Sequence, residues 1–346
     1  MYARRLPAEK GLIGSRGWRT IRNGWVVGLS VALVPAVAVA ETETARVGDG
    51  GFRLSFLEGS PVGRWRHFDL GRPAPGRTVE ALEALFARLD YRLDRVRERG
   101  VVPRLLVRRM PDGLSRMHET QRRKALFIRI ALPLILTTNE AILRDRRRIE
   151  RLRAAQVRDG FLPVGQERWL WQVFAAYKVK PGEFAELLSR VDIVPPSLAV
   201  AQAAEETGWG TSRFVRRGNA LFGQRTYRSA HGMVPRRMPP GDRFRVRRFS
   251  QLLAAVASYV SNLNTHPAYA AFRARRSEMR GAGRLLDATA LAGGLEAYSA
   301  RRGAYVRTVR AIIRTNALAD LDRLELESGR PQFAGGPPTG RQRLAN

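Results

Sequence analysis

Two adjacent carboxylates, Glu205 and Glu206, close an alanine-rich stretch and are followed by a tryptophan between two glycines: Gln202-Ala203-Ala204-Glu205-Glu206-Thr207-Gly208-Trp209-Gly210-Thr211-Ser212. Pro195-Pro196-Ser197 starts a helix there, with proline suited to its first turn, and Thr207-Gly208 stops it. A carboxyl in the last helical turn meets the negative end of the helix dipole. The Trp209 ring offers an apolar wall, and both effects disfavour ionisation. A carboxyl that keeps its proton near neutral pH is what general-acid cleavage of a glycosidic bond requires. Gly208 and Gly210 are expected to leave the neighbouring chain open to a bulky polymer. Residue chemistry alone also fits a glutamate pair fraying at a helix end beside a packed tryptophan. Helical spacing does not separate the two acids, since both lie one turn beyond Gln202.

Other reactive side chains are sparse. The chain has no cysteine, and His67, His118, His231 and His266 lack ligand spacing, so no metal or cofactor is expected. The formal charge is +30, carried almost wholly by arginine, with lysine only at positions 10, 124, 178 and 180. Such a charge favours polyanionic partners, although arginine spread along the whole chain argues against a nucleic-acid tract. A compositional preference for arginine on an ordinary surface gives the same numbers.

The elements that must position the acids are read as follows. Residues 1–40 form a basic leader and an apolar run ending Ala38-Val39-Ala40, the pattern of an export signal, with retention as an anchor the alternative. This places the protein in the periplasm or cell envelope. Residues 41–77 read as a loosely ordered segment and 78–160 as a helical extension. In the extension, Val79, Leu82, Leu85 and Phe86 keep helical steps, Val101–Val107 is short and extended, and a long helix spans about 119–156. Pro133 predicts a kink or break in that helix. Residues 161–320 form the main domain, with an irregular, hairpin-like lobe over 218–249, and 328–346 form a disordered tail.

Several stretches together resemble the glucosaminidase domain, glycoside hydrolase family 73. They are the segment around Glu206, then Gly218-Asn219-Ala220-Leu221-Phe222-Gly223-Gln224, Tyr259 through Tyr269, Leu295-Glu296-Ala297-Tyr298-Ser299 and Gly303-Ala304-Tyr305-Val306. Within that family the chain is most similar to the Bax-type branch, whose N-terminal extension resembles Val102-Pro103-Arg104-Leu105 and Arg123–Ile128. The resemblance implies a mainly α, lysozyme-like, two-lobed domain that cuts the bond between N-acetylglucosamine and N-acetylmuramic acid in peptidoglycan. It assigns Glu206, directly before Thr-Gly-Trp-Gly, as the catalytic acid. Glu205 stands where the family usually has an apolar residue.

The resemblance also implies that Tyr269 faces the acid, and that Trp209, Asn219, Phe222, Gly223 and Tyr298 shape the substrate site. Leu221 and Phe222 fit the core equally well. A second carboxylate is normally needed in such hydrolysis. Residues 225–249 offer one, Asp242; the alternative is that the substrate's acetamido oxygen takes its place. The arginines of this lobe, Arg225, Arg228, Arg236, Arg237, Arg243, Arg245, Arg247 and Arg248, suit carboxylates of the wall polymer. A lytic transglycosylase and a non-catalytic wall-binding protein are the competing readings.

Overall fold

The computed structural model describes residues 78–227, 232–236, 238, 243–329 and 331–334. The leader, the segment 41–77 and Asp242 lie outside the described residues.

The molecule is mainly helical. Thr78 caps α1 (Val79–Arg88) by accepting from the Ala81 amide, and α2 (Leu93–Arg99) ends on Gly100 in the left-handed region. Two short strands follow, β1 (Val101–Val102) and β2 (Leu105–Val107). The chain then enters α3 (Thr120–Asp159), a continuous 40-residue helix. Pro133 stands inside α3 and does not break it. The surrounding turns are buried from Leu126 to Leu136 except at Arg129, and that packing outweighs the missing backbone bond. By length and composition the helix could cross a membrane, but its apolar stretch is buried in the core.

Helices α4 (Val164–Ala176) and α5 (Phe184–Arg190) lead to α6 (Pro196–Thr207), which carries the two acids. Every residue of α6 from Pro196 to Ala204 is buried, and small side chains allow α3 and α11 (Gly303–Thr315) to pack on it. A short α7 (Arg213–Gly218) opens the smaller lobe. There β5 (Arg245–Arg247) pairs antiparallel with both β3 (Arg225–Thr226) and β4 (Gly232–Met233). Phe214, Ala220 and Val246, with Met233 against them, form a separate apolar cluster for that lobe. The chain returns to the main core through α8 (Leu252–Thr265), α9 (Ala270–Gly281), α10 (Ala288–Ala292) and α11.

The last described residues come back to the first. β6 (Glu325–Leu326) pairs parallel with β1, and β7 (Gln332–Ala334) pairs parallel with β2. Residues 332–334, expected within a disordered tail, are therefore ordered by backbone bonding to β2. The extension and the main domain also share one continuous core, since residues of α1–α3 and of α6–α11 belong to the same buried cluster.

Candidate active site

Glu206 sits at the C-terminal end of α6 on the wall of a cleft of about 1340 Å³, larger than a typical small-molecule pocket. The cleft runs between the main core and the β3–β5–β4 lobe. Its walls come from the end of α6, Gly208, Trp209, Thr211 and Ser212, Phe222–Arg225, the outer face of α8, Tyr269, Tyr298 and α11.

The Glu206 carboxyl is half-buried, and its pKa is pushed up to about 8. Burial is the main cause, and the neighbouring charge of Glu205 adds to it. A hydrogen bond from Tyr305 and the charge of Arg301 act in the opposite direction. The closest wall is backbone. Gly223 has φ +58°, and a Cβ placed there would lie 2.9 Å from Glu206 Oε2. Glycine thus permits the chain to lie directly against the carboxyl, at a backbone angle side chains resist.

A buried polar chain holds the acid from behind. Tyr259 donates to Gln202 Oε1 at 2.6 Å, Gln202 Nε2 donates to the Tyr305 hydroxyl at 2.9 Å, and Tyr305 donates to Glu206. Because the Tyr305 oxygen accepts from Gln202, its proton is directed at the carboxyl. Gln202 lies one helical turn before Glu206, a spacing that Glu205 shares, so the link to Glu206 comes through Tyr305. The sequence reading placed Gln202 and Tyr305 in the resembling stretches but gave neither a task at the site. Tyr259 adds a ring stacked on Phe222 with centroids 3.8 Å apart.

The other expected residues divide. Tyr269, Trp209, Phe222, Gly223 and Tyr298 all line the cleft with Glu206. Tyr269 is held by a hydrogen bond with Asn262, and the Glu206 charge helps burial raise its pKa to about 12. Tyr298 spends its hydroxyl on the Phe222 carbonyl at 3.0 Å, which fixes the segment leading to Gly223. Trp209 has φ +58° and packs edge-on against Phe127 of α3.

Asn219 does not face the cleft. It is buried, caps α7 in the left-handed region and donates from Nδ2 to the Phe249 carbonyl at 2.9 Å, so its part is to shape the backbone. Gly210 likewise does not open the chain to solvent. A Cβ there would stand 2.6 Å from Leu114 Cδ2, so glycine admits the extension. Of the lobe's arginines, Arg225 and Arg247 line the cleft, while Arg228 and Arg237 lie outside the described residues. Glu205 also lines the cleft and forms an ion pair with Arg301.

A half-buried carboxyl that holds its proton, in an open cleft on a helical scaffold, has the features that general-acid cleavage of a glycoside requires. Sequence comparison agrees. A family model described as Glucosaminidase, mannosyl-glycoprotein endo-beta-N-acetylglucosaminidase, matches residues 182–318. Protein bax of Escherichia coli (strain K12) is 34% identical over 213 residues, which cover 60% of this chain and 74% of that protein. No solved structure matches. The chain belongs to the family of Bax-type proteins that carry a glucosaminidase domain.

Proposed function

We propose that the protein is an exported peptidoglycan hydrolase that cleaves the N-acetylglucosaminyl-β-1,4-N-acetylmuramic acid bond, with Glu206 as general acid. The observation that carries the reading is the Glu206 carboxyl, pressed against Gly223 and protonated near neutral pH at the wall of a polymer-sized cleft. In the first step Glu206 gives its proton to the leaving O4 as the C1–O4 bond breaks. The acetamido oxygen of the same N-acetylglucosamine attacks C1 and forms an oxazolinium ion. Water then adds at C1, the ring reopens to the acetamide, and the Glu206 carboxylate takes the water's proton. Acetamido participation is favoured because Glu205, the other carboxylate among the described cleft residues, adjoins Glu206 on one helix and is paired with Arg301. Tyr269, with Asn262 behind it, is suited to hold the acetamido group. The basic leader and the cleft's cations support an anionic wall polymer in the periplasm as the target.

The test is mass spectrometry of digested wall. Wild type should release fragments with a reducing N-acetylglucosamine end. Glu206→Gln should release none while keeping the wild-type circular dichroism spectrum, and Glu205→Gln should retain much of the activity. Anhydro-muramic ends would instead identify a transglycosylase, and binding to sacculi without any cleavage would leave a wall-binding protein.

A further inference from the structure

We infer that Lys124, on the extension helix α3, is an anion-reading position of the substrate cleft that recognises a carboxylate carried by the glycan. The inference rests on the proposed glycan-hydrolase reading and concerns specificity. Lys124 lies outside the segment 182–318 matched by the glucosaminidase model, yet its side chain lines the same cleft as Glu206.

The position is built. Asn316 Nδ2 donates to the Ile312 carbonyl at 2.8 Å, which orients the amide so that its Oδ1 accepts from Lys124 Nζ at 3.0 Å. The same ammonium stands 5.0 Å from the centroid of the Trp209 ring, which Phe127 holds edge-on at 5.8 Å. Both partners are neutral, and among the described residues no acid forms an ion pair with Lys124. An ammonium has three donors, and one is spent on Asn316.

The cleft's arginines are differently placed. Arg301 is paired with Glu205, Arg247 donates to Ser258 and lies over Phe249, and Arg225 lies over Phe244. In a chain with four lysines among 61 basic residues, two of them, Lys124 and Lys178, line this cleft. A half-buried cation with neutral supports, facing open space, gains most from a carboxylate ligand. Trp209 follows Glu206 by three residues, so the lysine is tied to the segment that carries the acid.

Two sources supply that carboxylate, the lactyl ether of a peptide-free muramic unit or the stem peptide where one is attached. Calorimetry on the Glu206→Gln protein, which holds glycan without turning it over, separates them. The ligands are peptide-bearing strands, strands stripped of peptide and a neutral chitooligosaccharide. Adding Lys124→Gln should weaken one of the two carboxylated ligands about tenfold, the scale of one charge-assisted hydrogen bond, and leave the neutral ligand unmoved. The arm that moves names the source, added salt should narrow the difference, and Lys124→Arg should recover most of the loss. Equal loss on all three ligands would mean that the lysine only steadies Trp209. Unchanged binding of both carboxylated ligands would equally overturn the inference. Either result leaves the hydrolase reading standing. If the Glu206→Gln protein bound no glycan and wild type digested no wall, that reading would fall and the inference with it.

Discussion

At the scale of single residues, the acid's proton affinity is set by what touches it, and each contact has a predictable sign. As the proposed general acid, Glu206 acts in its protonated form, so kcat/KM should fall as pH rises through about 8, where the carboxyl ionises. Glu205→Gln removes a like charge and frees Arg301 to favour the carboxylate, so this limb should move to lower pH. Tyr305→Phe removes a hydrogen bond that favours the ionised form, so the limb should move to higher pH. A pH–rate profile of the three proteins checks both directions. Gly223→Ala should lose at least about tenfold in kcat/KM, because its methyl group must displace the carboxyl or the cleft backbone. A steady-state assay on solubilised glycan measures this. That Glu206, Gly223, Phe222 and Tyr269 share one cleft was legible because they sit in short motifs. Asn219 was legible only as a motif member. Its real task, a left-handed helix cap, was announced by Gly218-Asn219 at a helix end, a stop signal that can be read without any relative.

At the scale of elements, the helix bearing the acid is held at its start by distant chain. Its first turn is capped by Asp322, whose carboxylate accepts from the Ser197 amide and hydroxyl, both at 2.7 Å. Asp322→Ala should therefore destabilise the fold by about 1–2 kcal/mol in denaturant titration, the worth of a helix cap. Before α6, Asp192 is buried between Arg280 at 2.9 Å and Arg276, whose guanidinium also donates to the Ile193 and Ser189 carbonyls. The helices themselves were plain in the sequence, from the steps of Val79, Leu82 and Phe86 to the proline start of α6. These anchors were not. Ser197 and Asp322 are 125 residues apart, and no local period records a bond across that distance. Of the kink or break that Pro133 predicts, the break does not occur, for the related reason that burial can override a local helix breaker.

At the scale of the whole molecule, the extension is structural material of the main domain. Gly210 admits Leu114 and Phe127, α3 packs on α6 and α8, and one buried cluster runs through all of them. A fragment of residues 182–318 should therefore show no cooperative thermal transition by circular dichroism, whereas residues 78–334 should melt cooperatively. The expected boundary at 160 falls where α3 ends on Gly160, and Lys124 shows that residues before it also reach the cleft. Composition and periodicity reveal where helices lie. They do not reveal that two segments share a core, because that is decided by shape between distant parts.

The parallel pairing of β1 with β6 and of β2 with β7 sets a timetable for the chain's maturation. Residues 101–107 are synthesised well ahead of residues 325–334, yet the strand edges they present to them stay unmatched until those residues emerge. Folding on the ribosome thus stays incomplete until residues 325–334 have emerged, and a nascent chain stalled before residue 325 would keep these strand edges open to whatever machinery handles it.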